Sequence, residues 1–399
     1  MLYLVIRDRK CYSENMKILF IEWESYGNRD VQEAFRAEGH TVVSFPFTIH
    51  AKHRYNPEVE DRLSSVLRRE APDVVFSFNF FPVISRVCQS EGVRYISWVY
   101  DSPAIMLYSC TIINPCNTVY VFDKEVYLEF HQGGIDTVHY MPMAVNTERL
   151  DRMDADRSSA STFVYDVSFV GSLYTERWNF FDQMTGLRDY ARGYLDALMA
   201  AQRKVQGYNF IQEVLAPVME DLRQAFPMSR NEDGMETMEW FYAQYLVNRK
   251  ITALERAELL SSVAGIYGLD LFTLDPDLSM PGVQNHGSID YEEEMPLVFK
   301  KSRINLNISL RSIQSGIPLR AFDIMGSGGF LLSNFQADFL DYFVPEEDFV
   351  FYESREDLLR KTDYYLNHEE ERQAIARNGH DKVAAGHTYR HRVREMLAV

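Results

Sequence analysis

The sequence predicts an α/β protein with two domains, each built on a parallel sheet. Its 399 residues exceed what one ordinary hydrophobic core supports, and 46% of them are hydrophobic, which is enough for two packed cores. Short apolar runs alternate with amphipathic, helix-like segments over most of the chain. This alternation is typical of parallel strands covered by helices on both faces.

The N-terminal domain is predicted over residues 1–150. "MKILFIEW", which starts at Met16, has the continuous apolar character of a buried parallel strand. The next helix should end at Gly39, where glycine suits a helix C-terminus, before a second strand at 41–45. The unit then recurs, and further strands are expected at 74–78, at 95–100, within "NTVYVF" and near 138–141.

The C-terminal domain is predicted over residues 163–399, after a polar linker at 146–162 that is rich in Ser and Asp. It begins with the strand "VYDVSFVGS" at 164–172. Residues of about 177–260 show helical periodicity and few strand signals, which indicates a helical insertion in this domain. Strand and helix signals then alternate again, with strands expected at 268–274, in "INLNISL" and in "DFVFYES".

Composition excludes several classes of protein. The net charge of −17 argues against a nucleic-acid binder and against a protein of anionic membrane surfaces. No run of about 18 apolar residues occurs, so no integral membrane segment is expected. The four cysteines lack a C-x-x-C pair, which indicates reduced, mostly buried thiols and a cytoplasmic protein. The first strand-to-helix turn lacks the glycine pattern of a dinucleotide site, and no P-loop motif is present.

The stretch "SGIPLRAFDIMGSGGFLLSN", residues 315–334, is the strongest candidate for a binding site. Its first residues predict a loop that brings the N-terminus of a helix over 319–325 into a cleft, where free N–H groups favour anions. Arg320 lies at the start of that helix and is expected to contact a ligand phosphate. Asp323 lies one turn further on, where it could accept hydrogen bonds from ribose hydroxyls. A helix end with a surface aspartate is the alternative.

Local charge supports a phosphate site in this region. No acidic residue occurs between Glu294 and Asp323, whereas five cationic residues do. They are Lys300, Lys301, Arg303, Arg311 and Arg320. Such an excess in an acidic chain suits a phosphate-binding cleft, although for the first three residues a solvated helix face is the favoured interpretation.

Other candidate residues follow predicted strands. Gly171 and Ser172 end the first strand of the C-terminal domain, where backbone N–H groups could meet a diphosphate, or where the chain only turns sharply. Asp101, in "WVYDSP", could deprotonate an acceptor hydroxyl as a general base, or could cap the following turn. His387 and His391 have the spacing of a zinc helix, but no third ligand accompanies them, so no metal site is expected.

Two stretches carry a resemblance to a known family. "HGSIDYEEEMPLVFKKSRINLNISLRSIQSGIPLRAFDIMGSGGFLLSN" and "YYLNHEEERQAIARNGHDKVAAGHTYRHRVREML" resemble the glycosyltransferase domain of the CgeB-like spore maturation proteins, and "NFFPVISRVCQSEGVRYISWVYDSP" resembles the N-terminal domain that accompanies it. The resemblance implies a GT-B fold, in which two Rossmann-like domains face each other across a cleft. It also implies a nucleotide-sugar donor on the C-terminal domain and an acceptor on the N-terminal one.

The resemblance further implies a hexosyltransferase that works without a metal or other cofactor, on a UDP- or dTDP-sugar, with a protein hydroxyl or a glycan as acceptor. His286 and Gly287 would contact the base or sugar, and Ser315 and Gly316 would lie beside the donor. Many retaining GT-B enzymes have two glutamates eight positions apart here, whereas this chain has Ser315 and Asp323. The sequence therefore leaves open whether the reaction retains or inverts the anomeric configuration. The competing interpretations are a catalytically silent binding protein or partner subunit, and a nucleotide-sugar epimerase.

Overall fold

Two six-stranded parallel sheets with helices on their faces form the protein. The computed structural model describes residues 15–48, 54–153, 163–175 and 179–398. Within these ranges no helix combines the length and the apolarity that crossing a membrane requires. The two sheets confirm the predicted α/β class.

The N-terminal sheet has the strand order β2-β1-β3-β4-β5-β6. Its strands are β1 (Lys17–Glu22), β2 (Thr41–Pro46), β3 (Val74–Phe78), β4 (Arg94–Val99), β5 (Asn117–Val121) and β6 (Val138–Tyr140). Each was predicted within two residues, because each is a short apolar run between clear helix ends. The chain turns to opposite sides after β1 and after β3, so the crevice between these two strands is the switch point of this sheet.

Helices α1 (Asn28–Ala37), α2 (Pro57–Glu70), α3 (Pro82–Glu91) and α4 (Lys124–Gln132) connect these strands. Residues 147–152, predicted to be linker, instead form helix α5 (Thr147–Arg152). The Asn146 side chain caps α5 by accepting from the Arg149 N–H at 3.1 Å, and the Arg149 guanidinium pairs with Asp30 of α1 at 2.9 Å. The polar residues of this stretch thus serve a helix cap and an ion pair. The remainder of the predicted linker, 154–162, lies outside the described residues.

The C-terminal sheet has the strand order β12-β11-β10-β7-β8-β9. Its strands are β7 (Tyr165–Val170), β8 (Leu269–Phe272), β9 (Val283–Asn285), β10 (Ser302–Asn307), β11 (Leu331–Asn334) and β12 (Val350–Tyr352). The sequence did not predict β9, because its three residues include two polar ones at the sheet edge. The order places the switch point of this sheet between β7 and β10.

The helical region between β7 and β8 packs against the other sheet. It contains α6 (Asp189–Gln202), α7 (Met219–Ala225), α8 (Met238–Phe241), one π-helical turn (Tyr242–Val247) and α9 (Asn248–Tyr267). Leu195 of α6 and Leu246 of the π-helical turn are buried in the same hydrophobic cluster as Leu19 of β1 and Val119 of β5. The insertion predicted in the C-terminal domain therefore shares its core with the N-terminal sheet.

The remaining helices complete the C-terminal half and return to the N-terminal one. They are α10 (Met295–Lys301), α11 (Leu319–Gly326), α12 (Arg355–Asn367), α13 (Glu369–Gly386) and α14 (Tyr389–Leu397). Helix α14 packs on α1, and Arg394 pairs with Glu38 at 2.6 Å. Gly328 ends α11 with a φ of 75°, a left-handed conformation that favours glycine. A β-carbon at Gly329 would lie 2.8 Å from Asn305 of β10, so the helix and the sheet approach closely there.

The two histidines with zinc-like spacing have structural roles. His387 is buried against Phe343 and accepts a hydrogen bond from Arg392 at 2.6 Å, and burial lowers the pKa of its ring to about 3. The ring of His391 bonds to Thr388 at the start of α14. Among the described residues no group of three or more potential ligands is arranged to hold a metal ion.

The described cysteines differ in burial. Cys88 is buried, Cys116 is partly buried and Cys110 is exposed, and all three are free thiols. The expectation that the cysteines are mostly buried therefore holds in full only for Cys88 among these three. Cys110 is exposed at the first position of a short 3₁₀ helix.

Candidate functional site

Loops at the carboxyl edges of the two sheets contact each other through Asp123. This residue follows β5, caps α4 and is buried. Its carboxylate accepts from the backbone N–H of Gln314 at 2.6 Å and from the hydroxyl of Ser315 at 3.0 Å. A β-carbon on Gly316 would lie 2.9 Å from the Asp123 Cα. Ser315 and Gly316 thus hold the two domains together here, and their role toward a donor stays a prediction.

Arg256 of α9 lies at the switch point of the C-terminal sheet. Its Nε donates to the carbonyl of Ile308, beyond β10, at 3.1 Å, and another of its nitrogens donates to the carbonyl of Ser172, beyond β7. Burial lowers the pKa of the guanidinium, and the charge of Arg320 lowers it further. No carboxylate among the described residues pairs with Arg256. Two carbonyls and two aromatic rings, of Phe169 and Tyr174, surround this buried cation, which is an unusual environment unless an anion completes it.

Arg249 and Arg256 flank the same aromatic ring. The guanidinium carbon of Arg249 lies 5.3 Å from the ring centroid of Tyr174, and that of Arg256 lies 4.9 Å from it. Tyr174 has a φ of 55°, which a non-glycine residue adopts at a cost, and its N–H donates to the Ser172 side chain at 2.9 Å. Tyr174, in the loop after β7, therefore contacts two arginines of α9 with its ring.

Arg320 and Asp323 lie on α11 beside this loop. The Arg320 guanidinium sits over the ring of Phe299, with 5.7 Å to the centroid, and contacts the sulfur of Met295. Like Arg256, it has no carboxylate partner within the described part of the chain. Its charge is close enough to lower the pKa of Asp323.

Asp323 is 5% exposed and only half satisfied. One carboxylate oxygen accepts from the Tyr291 hydroxyl at 3.0 Å, and the other is buried with no hydrogen-bond partner. Burial is the main reason that the pKa of this carboxyl is raised to about 6. Asp323 lines a small hollow together with Asp30, Arg149 and Tyr389. Asp323 is thus not the surface helix residue that the alternative interpretation expected.

The predicted excess of positive charge is partly neutralised by the fold. Arg311 forms a two-pronged ion pair with Glu255, and Arg303 pairs with Asp166 at 2.9 Å. Of the arginines between Glu294 and Asp323, only Arg320 forms no direct ion pair with a carboxylate among the described residues.

Gly171, Ser172, His286 and Gly287 lie in the C-terminal half, as predicted. The Gly171 N–H donates to the Phe272 carbonyl at 2.9 Å, so it is used within the sheet. The ring of His286 stacks on Phe272 at 4.5 Å and bonds to Asp270 at 2.8 Å. The N–H of Gly287 bonds to the Asn285 side chain. Donor contacts by these residues stay predictions.

Asp101 follows β4, at the carboxyl edge of the N-terminal sheet. One carboxylate oxygen accepts from the Asn79 amide at 2.6 Å, and Asn79 also accepts from the Tyr100 and Asp101 N–H groups. The side chain lies in a crowded recess that stays open to solvent. The crowding raises the pKa of the carboxyl above its usual value, and the Asn79 bond partly offsets this.

The loop that carries Asp101 also reaches the other domain. The Ser102 hydroxyl lies 3.1 Å from the Ser312 hydroxyl, in the loop after β10. A hollow of about 30 Å³ extends from Asp101 to Ser312 and Gln314. Asp101 therefore lines a hollow between the domains, and its role as a general base stays a prediction.

Comparisons with known proteins agree with this architecture. Residues 251–398 match a family model described as glycosyl transferase-like. Sucrose-phosphate synthase from Thermosynechococcus elongatus aligns with a TM-score of 0.55 at 11% identity, over 96% of this chain and 98% of that one. The α,α-trehalose 6-phosphate synthase from Burkholderia multivorans aligns with a TM-score of 0.51 at 10% identity, again over 96% and 98%. No curated protein sequence matches the chain significantly.

The chain has a GT-B fold, and residues 251–398 are similar to a glycosyl transferase-like domain. A third GT-B structure, Anabaena HepE in complex with UDP-glucose, aligns with a TM-score of 0.50 at 9% identity, over 96% of this chain and 100% of that one. At such identities the structures establish the fold alone. Arg256, Arg320 and Asp323 all lie within the matched residues 251–398.

Sequence reasoning missed four residues of this site: Asn79, Arg249, Arg256 and Tyr291. The arginines lie seven positions apart on one helix, a spacing that places them on the same face, but their helix was assigned to an insertion. Asn79 comes directly after β3, and Asp101 comes two residues after β4. Because neighbouring parallel strands end at the same edge of a sheet, the position of Asn79 could have indicated that it lies beside Asp101.

Proposed function

We propose that this protein transfers a sugar from a nucleotide-sugar donor to an acceptor hydroxyl group. The observation that carries the proposal is the pair Arg256 and Arg320 at the switch point between β7 and β10. Neither has a carboxylate partner in the described structure, and Arg256 is 8% exposed. A diphosphate bound there would neutralise both charges through strong, charge-assisted hydrogen bonds.

Asp323 supplies the second part of the donor site. Its unpaired, buried oxygen needs a hydrogen-bond donor, and ribose hydroxyls are donors of suitable chemistry. The Tyr291 hydroxyl bonds the other oxygen, so the bound ribose shares Asp323 with Tyr291 or takes its place. The matched family model and the UDP-glucose complex of the Anabaena protein support a nucleotide-sugar donor, and a UDP- or dTDP-hexose is proposed.

The reaction follows from the two sides of the cleft. An acceptor oxygen forms a bond to the anomeric carbon, and the bond from that carbon to the diphosphate oxygen breaks. The acceptor proton goes to Asp101, and the diphosphate leaves with the electron pair. Arg320 and Arg256 stabilise the charge that grows on the leaving group, so they contribute more in the transition state than in the ground state. We propose that these side chains act without a bound metal ion.

The finer family assignment is also a proposal. The runs 286–334 and 364–397 resemble the CgeB-like spore maturation glycosyltransferases, and both lie within or overlap the matched residues 251–398. The acceptor, a protein hydroxyl or a glycan in the broadest terms, follows from that resemblance.

The experiment combines nucleotide binding with turnover. Calorimetric titration with UDP and dTDP tests the donor site, and release of UDP from UDP-glucose tests turnover. Arg256→Gln and Arg320→Gln should each weaken UDP binding about tenfold or more, since a charged hydrogen bond contributes about 1.5–3 kcal/mol. Arg360→Gln, an exposed arginine that pairs with Asp357, is the control and should bind like the parent. Unchanged UDP binding in both site variants would refute the assignment.

A further inference from the structure

A recess with aromatic walls lies beside Asp101, at the switch point of the N-terminal sheet. Its cavity volume is about 200 Å³. Trp23 beyond β1, Phe81 beyond β3 and Tyr245 of the π-helical turn line it, together with Met106. The Trp23 and Phe81 rings meet edge to face with centroids 5.8 Å apart, so they form one continuous wall.

The polar atoms of these walls are already used by the protein. The indole N–H of Trp23 donates to the Phe78 carbonyl at 2.9 Å. The Tyr245 hydroxyl accepts from the Ile105 N–H at 3.1 Å and donates to the Pro103 carbonyl at 3.0 Å. A ligand in the recess therefore meets apolar surface almost everywhere.

Asp101 is the exception at the rim. Asn79 binds one of its carboxylate oxygens, and the other oxygen has no hydrogen-bond partner among the described residues. A saccharide carries hydroxyls around its whole ring, and burying them against these walls would leave most of them unpaired. A ligand with an apolar body and a single hydroxyl could pair that hydroxyl with Asp101, so it would leave no hydroxyl unpaired.

From this we infer that the recess binds the acceptor, and that the acceptor is a hydroxyl compound with an apolar body about the size of one substituted aromatic ring. A cavity of about 150 Å³ accommodates benzene, so about 200 Å³ accommodates a ring with a small substituent. Its hydroxyl would donate to the free oxygen of Asp101. This inference rests on the proposed function for the transfer step, but binding to the recess can be tested without a donor.

The test uses the full chain and calorimetric titration with p-cresol, and with methyl glucoside for comparison. Ala104 lines the recess, so Ala104→Phe should fill it and weaken p-cresol binding about tenfold or more. Ala37→Phe, at an exposed position of α1, is the matched control and should bind p-cresol like the parent. Asp101→Asn should abolish transfer to p-cresol.

Binding of p-cresol that disappears only in Ala104→Phe, with weaker binding of the glucoside, supports the inference. Tighter binding of the glucoside than of p-cresol would overturn it, as would equal p-cresol binding by parent and Ala104→Phe. UDP titrations on the same samples separate the two proposals. A parent protein that binds p-cresol but not UDP contradicts the donor site alone. A parent protein that binds UDP but not p-cresol contradicts the recess alone.

Discussion

Replacing Asp323 by asparagine should make the protein more stable and a weaker nucleotide binder. The parent carboxylate is 5% exposed, one of its oxygens lacks a partner, and Asp30 adds like charge nearby. Asparagine has nearly the same shape but no charge to desolvate. It also removes the acceptor charge that a ribose hydroxyl would use, so the two effects have opposite consequences for folding and for binding.

The size of the stability change follows from the pKa. Burial raises the pKa of Asp323 from 3.8 to about 6. Because the folded value is the higher one, the contribution of this group to stability is present in full below pH 3.8 and is lost as the pH rises through about 6. At about 1.4 kcal/mol per pKa unit the loss above pH 7 amounts to about 3 kcal/mol. Asp323→Asn should recover up to that amount at pH 8 and about half of it at pH 5.

Thermal melts at pH 8 and pH 5, with a UDP titration at pH 8, test this directly. The variant should melt several degrees above the parent at pH 8, since about 1 kcal/mol shifts the melting temperature of a large domain by about 2–4 °C. Its UDP affinity should fall about tenfold. Asp277→Asn, at an exposed turn, should change neither quantity. A variant that melts no higher than the parent at pH 8, or that binds UDP equally well, would refute the reasoning.

Four further expectations can be checked with the same material. Arg320→Ala should lower kcat more than it raises KM, and equal kcat in steady-state assays would contradict its role at the leaving group. Asn79→Ala removes the bond that lowers the pKa of Asp101, so the acidic limb of the kcat/KM profile should move to higher pH rather than stay in place. Gly316→Ala should lower the melting temperature, because its β-carbon would lie 2.9 Å from the opposite domain. Gly328→Val should also lower it, because valine is strained at the φ of 75° that Gly328 adopts. EDTA should leave turnover unchanged, and a loss that magnesium restores would be evidence against metal-free catalysis.

The sequence predicted most strands because each is a local feature. β3 is a run of five apolar or small residues between a helix and a turn, and its bounds agree with the prediction. β9 was missed, because "VQN" has no apolar pattern and owes its existence to pairing with β8. α5 was missed for a related reason. Its residues look like a linker, and only the tertiary ion pair between Arg149 and Asp30 shows why they are ordered as a helix.

The candidate site was predictable only where its residues lie close together in the chain. Arg320 and Asp323 belong to one short motif, and the structure places both beside the switch point. Arg256 lies 64 residues before Arg320, and its role depends on a carbonyl of Ile308 and another of Ser172. Such a pairing cannot be read from local periodicity. The exposed or buried state of Asp323 was likewise undecided until its neighbours from other elements were known.

The helical region explains how the two halves of the site can depend on each other. Tyr245, in the π-helical turn, lines the aromatic recess, and Arg249 lies about one helical turn further along, against Tyr174. Arg256 follows about two turns later, at the C-terminal switch point. One continuous helical rod of residues 238–267 therefore spans about 16 Å from Tyr245 to Arg256, that is, from the recess to the arginines. Because the start of this rod is packed in the core of the N-terminal sheet, we expect a shift of that sheet to move Arg249 and Arg256 with it. The connection between the two halves arises because these helices lie between β7 and β8 in the chain, whereas their apolar side packs on the N-terminal domain.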